Sequence, residues 1–221
     1  MANSDKIISV HKDYEESVNK WEFYIRSYNG GFDYSAGQYL HRYNLELDNE
    51  YAKRLSNTAL DNHCKNIVQI YSSFLFRVKP SRDFGNLDND PMLELFLKDA
   101  DLDGNSFNTV IAQAQNYASI YGHCFMMLDK PNFTTQTMAQ ELDAEVRPYV
   151  SIVTPENVFD WNYERLINGR YVLNYMKVRE EVDSEGGTYF RLWYTDKIET
   201  VYVKSEYDDP KMIDTVPNRL G

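Results

Sequence analysis

NSFNTVIAQAQNYASIYGHCFMMLD, residues 105–129, carries two hydrophobic periods back to back. Up to Tyr121 the apolar residues Phe107, Val110, Ile111, Ala114, Tyr117, Ala118 and Tyr121 recur by threes and fours, the spacing that lays one face of an α-helix on a core. Asn105 or Ser106 supplies the N-cap oxygen that takes up one of the free N–H groups of the first turn, and Gly122 supplies the stop. From His123 to Leu128 the chain becomes a compact apolar run closed by Asp129-Lys130-Pro131, which fits a strand. The change of period divides the chain, with helical spacing before it and strand spacing after it. The expected class is therefore α+β, with N-terminal helices followed by a mainly antiparallel sheet.

Upstream, Asp90-Pro91 sets an N-cap before a proline at the first helical position, ahead of Met92, Leu95, Phe96 and Ala100. Asp101 to Gly104 reads as a turn. A long helix is expected from about Asp48 to Arg77. Leu55, Ala59, Cys64, Ile67, Tyr71 and Phe74 fall close to one stripe of it, with Lys53, Asp61, Lys65 and Gln69 mostly off that stripe. Pro80 ends it, and residues 81–90 form a polar loop. Nearer the start, Asp13 or Ser17 caps a short helix bearing Val18, Trp21, Phe23, Ile25 and Tyr28, which stops at Asn29-Gly30-Gly31. Asp33 to Tyr43 is expected to be irregular. Residues 1–47 thus read as an N-terminal arm with a short helix, and residues 48–221 as a helical/β domain.

Downstream, Thr134 to Glu145 is polar and reads as an exposed insertion, and Tyr149 to Val153 as a strand. Tyr171 to Arg179, Thr188 to Tyr194 and Lys197 to Val203 form a three-stranded antiparallel meander, turned at Asp183–Gly187 and Thr195-Asp196. Val216 to Gly221 reads as a loop, so the chain is expected to continue beyond it.

Charge and composition exclude several function classes. The chain of 221 residues has 23 Lys and Arg against 34 Asp and Glu, a net charge of −11. A protein that grips phosphates needs clustered cations, so non-specific nucleic-acid binding and docking on anionic membranes are disfavoured. An acidic surface suits a passage through which DNA slides without sticking. The 18 Tyr suit half-buried sites such as subunit contacts, because the ring is apolar and the hydroxyl is wet, while for any single Tyr a place at the rim of the core is the simpler reading. No stretch approaches the ~20 apolar residues of a membrane span. The two cysteines, Cys64 and Cys124, lie outside any CxxC pattern and are expected to be free thiols, with the buried cysteine acting as a small apolar residue.

The candidate chemistry is thin. Asp99-x-Asp101-x-Asp103-Gly104 imitates the start of an EF-hand loop, but such a loop needs a bidentate Glu at its twelfth position, which here is Val110. A polar helix–helix turn whose side chains cap backbone groups is the better account. His63-Cys64 and His123-Cys124 offer four zinc ligand types, yet adjacent residues diverge on a helix or strand, and structural zinc sites space their ligands by ~2 to 4 residues. There is no GxSxG and no Gly-rich phosphate loop. The acid pairs Glu15-Glu16 and Glu180-Glu181 direct their side chains to different faces and read as solvated surface. No residue is assigned a catalytic, cofactor-binding or metal-binding role, and the chain is not expected to be an enzyme.

A series of motifs in order resembles the opening of the portal proteins of tailed bacteriophages. It begins with the Trp21 helix, Gly30-Gly31 and Gly37-Gln38-Tyr39-Leu40-His41-Arg42. Glu50-Tyr51-Ala52-Lys53-Arg54-Leu55 follows, with Tyr51, Arg54, Leu55 and Asn62 at the family's Y-x-x-R-L and Asn positions. Asp99 to Gly104, the helix to Tyr121-Gly122 and the strand His123 to Asp129 come next. Arg147-Pro148-Tyr149-Val150-Ser151-Ile152-Val153-Thr154-Pro155-Glu156-Asn157-Val158 with Asp160-Trp161 is the most telling segment. Residues 134–145 and 183–187 match nothing in the family.

The resemblance implies the portal wing, truncated before the stem and tunnel region, in a dodecameric ring at one capsid vertex of the virion, assembled in the host cytoplasm. Its implied partners are copies of itself, the major capsid or scaffolding protein, the terminase and the head–tail adaptor. Double-stranded DNA would pass without sequence-specific binding, and no membrane or cofactor is implied. Two alternatives are a zinc-dependent or unrecognised enzyme domain, and a soluble protein-binding module with a Tyr-rich surface.

Overall fold

The computed structural model describes residues 9–58, 61–131, 137, 139–140, 144–204 and 209–218. Among the described residues the helices ahead of the first strand are α1 (Lys12–Asn29), α2 (Gly31–Ala36), α3 (Asp48–Asn57), α4 (His63–Leu75), α5 (Pro91–Lys98) and α6 (Phe107–Tyr121). The strands among the described residues are β1 (Phe125–Asp129), β2 (Tyr149–Val153), β3 (Val158–Arg165), β4 (Tyr171–Val182), β5 (Thr188–Tyr194), β6 (Lys197–Val203) and β7 (Lys211–Pro217). The class is α+β, helices first, as the change of period required.

The caps explain where the helices begin and end. The Ser106 hydroxyl accepts from Thr109 N–H at 3.3 Å, and Gly122, at φ +89°, donates its N–H to the Ala118 carbonyl at 2.9 Å. Asp90 Oδ1 accepts from the N–H groups of Met92 and Leu93. Helix α1 starts one residue ahead of Asp13, because His11 Nδ1 accepts from Asp13 N–H at 3.1 Å. It ends at Gly30, whose φ is +69°.

Three readings are corrected. The single helix expected over 48–77 is two, α3 and α4, with Thr58 extended between them. Asn62 starts the second. Its Oδ1 accepts from Lys65 N–H at 3.1 Å while its Nδ2 donates to the Tyr28 carbonyl at 2.7 Å, closing the end of α1. One side chain thus satisfies orphan groups of two helices, which a continuous helix would forgo. Second, Asp33 to Tyr43 is not wholly irregular, since α2 runs to Ala36. Third, the meander has five strands in the order β3-β4-β5-β6-β7, not three, and β4 continues to Val182. Val216 and Pro217 end the edge strand β7, not a loop. Both missed strands are sheet edges with a poor period-two signal, since β3 carries register shifts at Val158/Asp160 and Asn162/Tyr163 and β7 is exposed over most of its length. The insertion read at Thr134 to Glu145 lies mostly outside the described residues.

The core has two layers around the large sheet. Met127 of β1, Val158, Met176 and Val178 pack with Phe125, Val153, Trp161 and Trp193, joining the β1–β2 pair to the meander. Phe190, Leu192, Val201 and Val203 cluster with Phe159, Tyr175 and Tyr194. The helices join this core through Tyr14, Trp21 and Tyr121, and Tyr14 stacks on Phe159 with ring centroids 5.0 Å apart. Helix α6 buries Val110 against Ala100 and Val150. Each such side chain contributes about 1.5–3 kcal/mol by leaving water.

Candidate interaction surface

The polar motifs singled out in the sequence have structural occupations. Asp101 Oδ1 accepts from the N–H groups of Asp103 and Asn105, and its Oδ2 accepts from the Asn105 amide at 2.8 Å. Burial pushes the Asp101 carboxyl up, and these hydrogen bonds together outweigh it, leaving the group below its ordinary range. Asp99 Oδ1 takes the Gly104 N–H, and its Oδ2 lies 2.5 Å from Arg147 Nη2. Arg147 is almost wholly buried and also reaches the carbonyls of Asp99 and Glu145. The Asp101 carboxylate thus holds the α5–α6 turn together, the role expected of a capping turn, and that of Asp99 ties the turn to Arg147 just ahead of β2.

His63 and Cys64 sit at the exposed start of α4, with His63 Nε2 3.2 Å from Asp61. His123 packs edge-on against Trp21 and Phe125. Cys124 points its thiol at the Ala114 carbonyl, 3.3 Å away, and burial pushes that thiol up. The expectation of a buried apolar cysteine therefore describes Cys124 in part, and Cys64, which is exposed, not at all. Among the described residues no group of three or more His, Cys, Asp or Glu converges on a possible metal position.

Charged groups inside the fold serve the packing of layers. Arg191 of β5 bridges Glu180 of β4 at 2.9 Å and Asp129 of β1 at 3.3 Å, and Asp129 also accepts from the Tyr149 hydroxyl at 3.0 Å. Burial pushes the Glu180 carboxyl up, against the pull of Arg191. Lys177, fully buried on β4, donates to the Ser9 carbonyl and so pins the chain ahead of α1. Burial lowers its pKa, and the nearby Asp160 carboxylate opposes that shift.

Exposed apolar side chains gather on α4. Ile67, Tyr71 and Phe74 follow spacings of four and three and are 53%, 67% and 69% exposed, and Val78, just past the end of the helix, is 73% exposed. Ile70 and Leu75 beside them are exposed as well. Only Val68, Ser72 and Phe76 turn inward to half-buried positions. Ile67, Tyr71 and Phe74 belong to the stripe seen in the sequence, and the structure turns them outward. A helix of 13 residues is marginal in water without a packed face. An apolar seam this continuous marks a contact site.

A second surface is the β3–β4 hairpin. Residues Tyr171 to Leu173 pair with β3, but the pairing of β4 to β5 begins only at Tyr175. The hairpin end is thus a two-stranded ribbon extending past the sheet, with Tyr163, Leu166, Ile167 and Tyr171 exposed on it. Such ribbons are marginally stable alone. At its base, a cleft of about 360 Å³ opens between β1 and the large sheet, lined by Met126, Leu128, Leu173, Met176 and Trp193. Neither surface was legible as exposed, because periodicity marks an apolar face without saying what covers it.

No helix of the described residues is long and apolar enough to cross a membrane. No protein-family model matches this sequence, and no curated protein matches it.

Proposed function

We propose that this chain is the wing portion of a tailed-phage portal subunit, a structural protein that meets further copies of itself in a ring at one capsid vertex. Supporting this reading is the ordered run of motifs from Trp21 to Trp161 described above. The observation that carries it is the outward apolar seam of α4 beside a well-packed core, because a folded unit with so large an unpaired helix face is built to be covered by a neighbour. The ribbon at the β3–β4 turn is a second such face. A closed ring needs two different patches on each copy, which a wedge with separate apolar surfaces provides.

On this reading the chain does no bond-making. Its work is to hold shape while genomic double-stranded DNA is packaged and ejected through the ring. The capsid or scaffolding protein, the terminase and the head–tail adaptor are the partners implied. The net charge of −11 agrees with a passage that does not retain phosphates. The zinc-dependent alternative has no observation in its favour, since His123 and Cys124 are engaged in packing and hydrogen bonding. Negative-stain imaging of the complete gene product tests the proposal. Rings with a central hole are expected, and solitary globular particles at all concentrations sink it.

A further inference from the structure

The charge of this chain is unevenly distributed where the apolar seam lies. From Asn62 to Arg82 there is no Asp or Glu, and there are four cations, Lys65, Arg77, Lys79 and Arg82. The next segment, Asp83 to Asp103, holds seven acids (Asp83, Asp88, Asp90, Glu94, Asp99, Asp101 and Asp103) and a single cation, Lys98. A cationic apolar stretch is thus followed at once by a strongly anionic one.

The structure leaves much of both on the outside. Lys65, Arg77 and Lys79 are exposed around the seam of Ile67, Tyr71, Phe74 and Val78. Among the described residues these three form no ion pair with a carboxylate of their own chain. On the anionic side Asp83, Asp88, Glu94 and Asp103 are exposed, and Leu87 and Leu102 stand exposed among them at 56% and 42%. Asp90, Asp99 and Asp101 are occupied in caps and turns. Each surface therefore presents apolar side chains framed mainly by charge of one sign, with the exposed Lys98 the one cation on the acidic side, and the dominant signs are opposite.

We infer that the α4 seam docks on the acidic Asp83–Asp103 surface of a second copy of this chain. The charges select the partner. A basic apolar helix also fits an anionic lipid surface or nucleic acid, but the chain supplies a matched acidic apolar surface of its own, and the remainder outside residues 62–82 holds 19 cations against 34 anions. The contact joins two different patches, so wherever two copies do not pair them reciprocally it propagates head to tail and closes into a ring or runs on as a filament. This deepens the proposed function by naming the surface through which copies meet, and it rests on that reading.

The test uses the 221-residue chain in sedimentation velocity at increasing concentration and at two salt concentrations. The native chain is expected to associate, more weakly at high salt, because the contact is framed by exposed charge. Phe74→Glu is expected to weaken association at least ~10-fold with an unchanged circular dichroism spectrum, since the side chain is exposed in the single chain. A charge exchange then identifies the mate. Lys65→Glu/Arg77→Glu/Lys79→Glu and Asp88→Lys/Glu94→Lys/Asp103→Lys each lose self-association, and an equimolar mixture of the two regains it. Native chain that stays monomeric throughout overturns the inference, as does exchange without rescue. Binding to phosphatidylserine vesicles or to duplex DNA through Lys65, Arg77 and Lys79, with no self-association, overturns it in favour of those ligands. Rings from the complete gene product that are indifferent to the charge exchange leave the ring reading standing and remove this contact from it.

Discussion

Helices α6 and α4 are close in length, 15 and 13 residues, each begins on a polar side chain that caps it, and each carries an apolar stripe. Their surroundings differ completely. Helix α6 places Val110, Ala114 and Tyr121 in the core, at 1%, 7% and 4% exposure. Helix α4 turns Ile67, Tyr71 and Phe74 to the outside and touches the body of the protein along Val68, Ser72 and Phe76. The contrast teaches that amphipathicity identifies a face that needs a partner and leaves open whether the partner belongs to the same chain.

The sharpest way to break this contrast is to put the same carboxylate on both helices. Val110→Asp buries an unpaired charge, and the loss of stability is expected to exceed about 4 kcal/mol, enough to unfold many domains. Phe74→Asp is expected to stay within about 0.5 kcal/mol of the native monomer in urea unfolding. Equal losses from the two would mean that the α4 face is covered within the single chain, and the comparison would collapse.

Next in size is the knot beneath α6. Arg147→Met leaves Asp99 without its buried partner and is expected to cost about 3 kcal/mol, read from the urea midpoint. The same measurement near zero would show that Asp99 is adequately solvated without the guanidinium. Smaller effects separate the two caps. Ser106→Ala is expected to cost about 1 kcal/mol. Asn62→Ala is expected to cost about 2 kcal/mol, because the same side chain also holds the Tyr28 carbonyl at the end of α1. Gly30→Ala belongs to the same junction: its φ of +69° is unsuited to a side chain, and the added Cβ would lie 2.7 Å from Asn62 Nδ2. Equal costs for the two caps would show that Asn62 does not link α1 to α4.

The smallest effect is placed in the sheet, where neither helix takes part. Asp183 accepts from the Tyr202 hydroxyl at 2.7 Å and from the N–H groups of Gly187 at 2.7 Å and Glu185 at 2.9 Å. The Tyr202 bond, followed by the backbone bonds, holds the carboxyl below its ordinary range, while Tyr202 itself is pushed up to about 12 by the same contact. A carboxyl depressed in the folded state binds its proton more readily when unfolded. Its stabilisation is therefore complete above the unfolded pKa, about 4, and is lost as pH falls through the lower folded value. Asp183→Asn is expected to flatten the fall of Tm below about pH 4. An unchanged Tm profile between pH 7 and pH 2 would remove Asp183 from the acid response.

Much of the architecture was legible because it is written in local chemistry. Asp90-Pro91, Ser106 and Gly122 punctuate α5 and α6 where their side chains or backbone demand it, and β2, β5 and β6 keep the limits that their spacing suggested. The misses have a common cause. The α3–α4 break depends on Asn62 meeting Tyr28, a residue 34 positions away. Strand β3 is bulged and β7 is an exposed edge, so alternation fails in both although the neighbouring strands recruit them. Of the candidate surface, the residues of the α4 seam were visible as a stripe, and their direction was not.

The amino-acid sequence alone determined the α+β class, the caps that open α5 and bound α6, the central strands and the acidic balance, because caps, turns and side-chain periods act within a few residues. The tertiary structure alone decided that α6 faces inward while α4 faces outward, that Lys177 and Arg147 lie buried, and that two sheet edges form. Those outcomes depend on which distant surfaces pack on one another and which are left uncovered, and no local pattern encodes that competition.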